Sequence, residues 1–233
     1  MTGPAMTDSR TRKATGSAPR PAARSVNRPA TWRSPGSTPG GRRSRDRILT
    51  ASLDLITESG IDKVRLADIA RLASMSSGQV MYYFSSKEHI LLETLAWREH
   101  QETAQRRREL PGLAAGWPRL ELFVDLYLPS GLSDPVWTLW MEAWARASHS
   151  REVSSFLDQL MTPWREDLAE IVAEGVAAGA FRPPKPASAF SVRFCAVLDG
   201  LSLLRLRQMP ELSARDLTDL AMDTARMELE PAA

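Results

Sequence analysis

The sequence predicts an all-α protein: a small head of three helices followed by a larger helical body. Three observations carry that prediction. Apolar residues recur at helical spacing from residue 42 nearly to residue 230, no stretch shows the alternation of a half-buried strand, and the breaks between apolar runs are short Gly, Pro or Ser punctuation. With 233 residues, 43% of them hydrophobic, the chain is long enough to bury a sizeable core.

Taken in order, residues 1–41 hold six prolines and five glycines, with Trp32 their only large aromatic. Such a stretch buries too little apolar surface to offset its ordering entropy, and a disordered basic arm is expected. The head is expected over 42–90 and the body over 91–230. A first helix over 44–59 aligns Ile48, Ala51, Leu55 and Ile56 on one face and stops at Gly60. Short helices follow over 66–72 and 76–83. A longer one over 85–108 opens at Ser85 and Glu88, which have capping-box spacing, and ends before Pro111-Gly112. Further helices are expected over 117–128, 135–148, 152–160, 163–178, 187–207 and 214–228. Asp134-Pro135 and Thr162-Pro163 each put a capping residue before a proline, and Ser213 lies three residues before Asp216. Alternatively 152–178 is one helix with Pro163 inside it.

The formal net charge of +2 hides an asymmetry: residues 1–47 hold 11 Lys or Arg and two acids, and the rest is acidic. A basic front on an acidic body suits contact with a polyanion. Cys195 is the only cysteine, which excludes an internal disulfide framework and a thiolate metal cluster, and it reads as inert core. No uninterrupted apolar run approaches the roughly 18 residues of a membrane span. The N-terminus has no apolar signal core, and its prolines spoil the amphipathic helix of a transit peptide, so a cytoplasmic location without membrane contact is expected. His89, His100 and His149 stand apart, with no acid pair, nucleophile elbow or Gly-rich phosphate loop beside them. Glu99, His100 and Glu102 read as a solvated helix face. Neither enzyme activity nor a cofactor or metal is expected.

The informative stretch runs from Arg65 to Phe84. A helix-turn-helix needs a small residue where its helices cross, an apolar residue closing the turn and apolar residues inside the second helix. Ala70, Met75 and Val80 meet that spacing, with Leu66, Ile69 and Ala73 completing the buried face. Ser76, Ser77, Gly78, Gln79 and Tyr82 or Tyr83 remain outward, and a glutamine can make a bidentate contact to adenine N6 and N7 in the major groove. Arg42, Arg43, Arg45, Arg47 and Arg65 lie where phosphates would pass, and Lys87 sits in the first turn of the next helix, a natural phosphate position.

Residues 45–95 resemble the N-terminal domain of the tetracycline-repressor (TetR) family of bacterial transcription regulators. The resemblance is carried by Ile48-Leu49 with Ala51, Gly60, Asp68-Ile69-Ala70, Ser76-x-Gly78 and Phe84-x-x-Lys87-Glu88. It continues more weakly through Gly179-Ala180-Phe181-Arg182 and Leu198-Asp199-Gly200-Leu201 to Met227. It implies a DNA-binding head, a helical ligand-binding and dimerisation body, a homodimer built on the last two helices, and double-stranded operator DNA and a small-molecule effector as partners. Three positions depart from the family pattern. Val64-Arg65 stands where Ser or Thr commonly opens the second helix, Ser74 where Gly is usual in the turn, and Met81 where Tyr is usual. A choline-responsive, BetI-like branch also departs at the last position, so Met81 points towards that branch and leaves open which tyrosine meets phosphate.

In the body, six of the seven tryptophans lie between Trp97 and Trp164, and Trp137, Trp140, Met141 and Trp144 share a helix face. Packing explains such a stripe. It also suits a pocket for a flat apolar or cationic molecule, with Phe123, Tyr127, Glu142 and Trp164 as companions. Phe194, Leu198 and Leu201 on one late helix, and Leu217, Leu220 and Thr224 on the next, suit a two-fold dimer seam matching a palindromic operator. Two rivals remain: a helical small-molecule carrier that does not bind an operator, and a membrane-surface protein using the basic arm.

Overall fold

The computed structural model describes residues 38–182, 185–207 and 212–229. Among them lie nine α-helices and no strand: α1 (Pro39–Ser59), α2 (Leu66–Leu72), α3 (Ser77–Tyr83), α4 (Lys87–Glu109), α5 (Trp117–Tyr127), α6 (Pro135–Ala147), α7 (Arg151–Ala177), α8 (Ala187–Leu206) and α9 (Ala214–Leu229). A 3₁₀ turn, Leu110–Gly112, follows α4. Most of the expected arm lies outside the described residues, but its last part belongs to α1. Thr38 accepts a hydrogen bond from the Gly41 N–H, and Pro39 takes the first helical position, where its missing donor costs nothing.

Two other boundaries correct the expectation. The residue that opens α4 is Ser86, whose hydroxyl accepts from the His89 N–H at 3.0 Å. Ser85 instead donates its backbone N–H to His89 Nδ1 at 3.1 Å, so the Ser85–Glu88 spacing marks no capping box. The segments on either side of Pro163 form the single helix α7, which is the alternative reading of that stretch. Asp134 does cap α6, accepting from Val136 N and Trp137 N.

Helices α1 to α3 make the head. Helix α4 packs on α1 and then continues into the body without a break at residue 90. Helix α6 touches α1, α4 and α7, so the aromatic helix of the body also rests on the head. Helices α7, α8 and α9 pack in succession, with α5 against α7 and α9. One core cluster joins these layers, from Ile48, Ile69, Val80 and Phe84 in the head to Phe123, Phe156, Leu168 and Phe190 in the body. Helix α8 is long and apolar enough to cross a membrane, which a search for uninterrupted apolar runs overlooks. Its polar breaks are engaged with neighbouring helices: Arg193 pairs with Glu228 of α9 at the surface, and Asp199 accepts the Tyr127 hydroxyl inside.

The turn between α2 and α3 places Ser74 at φ 53°, left-handed backbone that favours glycine. It is held there because Met75 N–H reaches Ala70 O at 2.8 Å and the Arg47 guanidinium donates to the carbonyls of Ala73 and Ser74. Relieving the side-chain strain by Ser74→Gly should stabilise the protein by about 1 kcal/mol, less than the full left-handed penalty because glycine loses more chain entropy on folding. Thermal denaturation checks this, and a lower melting temperature would mean that the serine carries a compensating contact.

Candidate DNA interface and ligand cavity

Helix α3 is short and starts with a reciprocal cap. The Ser76 hydroxyl accepts from Gln79 N at 3.2 Å, and Gln79 Oε1 accepts from Ser76 N at 2.8 Å. The Ser-x-x-Gln spacing is itself a capping-box signature, so this bond was readable in the sequence, where Gln79 had been matched to a base. A bidentate adenine contact uses the same oxygen, so the cap sets the direction from which its second lone pair and the Nε2 donor can meet a base. Ser76, Ser77, Gly78 and Gln79 are all exposed, and Val80 and Phe84 face the core. The two tyrosines separate: Tyr82 is 64% exposed, while Tyr83 packs against the core with its ring edge-on to Tyr82. Met81 stands outward beside them.

The basic residues divide as well. Arg43 and Arg65 are exposed, Arg43 on α1 and Arg65 immediately before α2. No side chain caps α2, and Asp62 is engaged elsewhere, with Arg146. Arg45, expected at phosphate, turns inward: it pairs with the buried Glu93 of α4, and its guanidinium lies over the Phe84 ring. A buried carboxylate must be compensated, and Arg45 is the cation that compensates it. Arg47 clamps the turn as described. Lys87 is corrected most clearly. Its ammonium donates to the carbonyls of Ile61, Asp62 and Val64 at 3.1, 3.1 and 3.0 Å, which occupies all three of its N–H bonds. Lys87 therefore staples the α1–α2 loop to α4 rather than reaching for phosphate.

In the body, α4, α6 and α7 with the end of α5 and the middle of α8 line a half-open recess of about 480 Å³, open solvent at its mouth included. Tyr127, Trp137, Trp140, Trp144 and Trp164 line it, as the aromatic stripe suggests. Three expected members do not. Met141 falls at the edge of the α6 stripe and is exposed, and Phe123 is buried beneath the wall with Trp164 edge-on to it at 5.4 Å. Glu142 also lies elsewhere, paired with Arg146.

Glu99 is the residue that the sequence reading placed on a solvated face and the structure buries. Its two oxygens accept Trp140 Nε1 at 2.7 Å and Trp164 Nε1 at 2.8 Å. Burial pushes its carboxyl above the ordinary 4.5, against the two indole bonds and the nearby Arg106, which pull it down. A signal was present: Glu99 lies in helical register with the buried Leu92, Leu95 and Ala96. At the other end Asp199 accepts the Tyr127 hydroxyl at 2.7 Å, and burial raises its carboxyl too. Burial likewise pushes the Cys195 thiol up to about 12, which keeps it protonated. Under the cavity floor, Arg106 is fully buried, with its guanidinium 3.6 Å from the Trp164 ring centroid and bonded to Asp167.

The dimer residues divide by burial. Phe194, Leu198 and Leu217 are buried within the subunit and present nothing to a partner, because the chain's own core takes its most apolar stripes. Leu201 and Thr224 are half-buried and Leu220 is exposed, beside Val192 on α8 and Met227, 77% exposed, on α9.

Two family models match the chain: the bacterial regulatory proteins of the tetR family over residues 48–94, and the C-terminal part of the BetI-type transcriptional repressors over residues 118–230. The chain belongs to the TetR family. The BetI-type match places it near the BetI branch of that family, a family of transcription regulators and not of enzymes. An HTH-type transcriptional regulator of the dhlA 5′ region of Xanthobacter autotrophicus is 32% identical over 136 residues, 57% of this chain and 65% of that protein. The match thus spans a little under two thirds of that relative's length. BetI of Ectopseudomonas mendocina is 25% identical over 57% of this chain and 76% of its own length. A transcriptional regulator from Saccharomonospora viridis, solved in complex with choline, superposes with a TM-score of 0.73 at 27% identity, covering 82% of this chain and all of that one.

Proposed function

We propose that the protein is a cytoplasmic transcription repressor that binds a palindromic operator as a homodimer and releases it when a small organic cation fills the cavity. The outward face of α3 carries this reading: in a helix-turn-helix of a TetR-family head, Ser77, Gly78, Gln79 and Tyr82 are the groups free of the core, with Arg43 and Arg65 beside them for phosphate. The effector class rests on the indole walls around Glu99 and on the choline complex of the S. viridis regulator. The outward residues of α8 and α9, Val192, Leu201, Leu220, Thr224 and Met227, support a seam with a second copy.

The test is fluorescence anisotropy on DNA flanking the gene and on scrambled duplex, across a salt series. Sequence-preferring binding with a salt slope of several phosphate contacts is expected. Equal, weak binding to both would favour the helical carrier that binds no operator.

Glu99 gives the cavity a pH dependence of known sign. Its empty-state pKa lies above 4.5, and a cation seated beside the carboxylate lowers it. Cation binding therefore releases protons, and affinity should rise with pH between the occupied-cavity and the empty-cavity pKa of Glu99 and level off once Glu99 is ionised in the empty cavity. Glu102, Arg106 and Asp199 are the other charged groups around it and remain in the Glu99→Gln variant, which should release fewer protons on cation binding, the raised Asp199 carboxyl accounting for the remainder. Calorimetric titrations in buffers of different ionisation enthalpy read the proton count; a flat profile in the native protein would remove Glu99 from the site.

A further inference from the structure

The outward face of α3 holds a glycine that the fold does not require. Gly78 lies in the helix with ordinary helical backbone, so no positive φ calls for it. Close packing does not call for it either: a Cβ there would meet, among the described residues, only Ser76 Oγ at 3.8 Å, an ordinary contact. Gly175 is the contrast, since a Cβ there would stand 2.1 Å from the Phe181 ring. Glycine in a helix gives up stability relative to alanine because it loses more chain entropy on folding, and at Gly78 nothing inside the subunit offsets that loss. Met81 is the second anomaly. It follows Gly78 by three residues and Ser77 by four, which puts the three on one face, and it is 46% exposed while its neighbour Val80 is sealed in the core. Tyr82, four residues after Gly78, is exposed as well. The bare backbone at Gly78 is therefore flanked, one turn on, by a thioether and a phenol.

We propose that a base edge in the major groove seats against the α3 backbone at Gly78, and that Met81 reads the 5-methyl group of a thymine beside it. This rests on the operator-binding reading and deepens it. A glycine lets backbone approach a ligand closely, and the thymine methyl is the apolar feature of the major groove, one that a flexible thioether can cover. The exposed cations of the same head, Arg43 and Arg65, suit a polyanion on this face rather than an apolar protein surface.

The experiment starts from duplexes that the full chain selects out of a randomised pool. Gly78→Ala should raise the melting midpoint by about 1–3 °C and weaken binding to the selected duplex on the order of tenfold, opposite signs that a glycine serving only the fold does not give. Replacing the thymines of that duplex by uracil, one at a time, removes the methyl group and nothing else. One position in each half-site should cost the native protein about fourfold, the worth of one buried methyl group, and should cost Met81→Ala nothing. A lower midpoint for Gly78→Ala, or undiminished binding by it, would overturn the close approach at Gly78. Uracil tolerated at every position, or the same uracil loss in Met81→Ala, would overturn the Met81 assignment and leave operator binding standing. Failure to select any sequence would overturn the operator reading and this inference with it. The uracil scan with native protein decides the thymine contact even where a variant does not fold.

Discussion

Asp167→Ala should destabilise the protein by about 3–5 kcal/mol, the usual result of removing one partner from a buried ion pair. Asp167 Oδ2 accepts from Arg106 Nε at 2.8 Å and lies 2.7 Å from Nη2 as an ion-pair contact, while Oδ1 accepts from Arg107 Nε at 2.9 Å. Arg107 is partly exposed and can turn to water, but Arg106 is sealed between α4 and α7 with Trp164 across its face. Burial pulls the Arg106 guanidinium below its ordinary range, and Asp167 is the first opposing influence. Without that carboxylate the guanidinium stays buried with its hydrogen-bonded partner gone and only the more weakly coupled Glu99 against it. Urea denaturation of the single variant should show the loss, and the double variant Arg106→Met, Asp167→Leu should recover most of it, since apolar residues of similar size replace such pairs at little cost. A single variant within about 1 kcal/mol of the native protein would mean that water reaches Arg106.

Gly175→Ala should also destabilise, reversing the gain of about 1 kcal/mol that alanine normally gives over glycine inside a helix. A Cβ at Gly175 would stand 2.1 Å from Phe181 Cδ2 and 2.3 Å from Cε2. The ring has little room to retreat, because Phe181 is buried and Trp117 sits edge-on to it at 4.8 Å. Its backbone is fixed too, with the N–H of both Ala180 and Phe181 bonded to Gly175 O. Overpacking of this kind costs about 1–3 kcal/mol. Thermal denaturation should show a lower midpoint, and Phe181→Leu introduced beside Gly175→Ala should lose less than the two changes summed. A raised midpoint for Gly175→Ala would show that the α7–α8 connection yields easily.

The helices were legible because their signals are local. Gly60, Pro111, the Asp134-Pro135 pair and the Ser213 start all act within one turn of the residues they delimit. The α1 start was missed because Thr38-Pro39-Gly40-Gly41 has the composition of a loop, although it also has a cap before a helix-initiating proline. The site was less legible, and the reason is reach. Arg45, Arg47 and Lys87 carry long side chains whose partners lie 48, 26 and 23–26 residues away, so the sequence shows their charge and not its destination. Periodicity tells which face of α8 is apolar; it does not tell whether the subunit or a second copy covers that face, which is why Phe194 and Leu198 were placed at a seam. Glu99 stands in plain register with a buried stripe, but beside His100 and Glu102 it reads as part of a solvated helix face, as charged residues seldom go inside.

Helix α4 is a rigid beam shared by the two ends of the molecule. Glu99 stands twelve residues beyond Lys87 on the same unbroken helix, a lever of ~18 Å at the usual rise per residue. A tilt of ~5° at the cavity would swing the Lys87 end by ~1.6 Å by that geometry. Lys87 is bolted to three carbonyls of the α1–α2 loop, so the loop would travel with the beam. In a two-fold pair of such molecules the displacements would oppose each other, and the spacing between heads would change by twice the swing of either one.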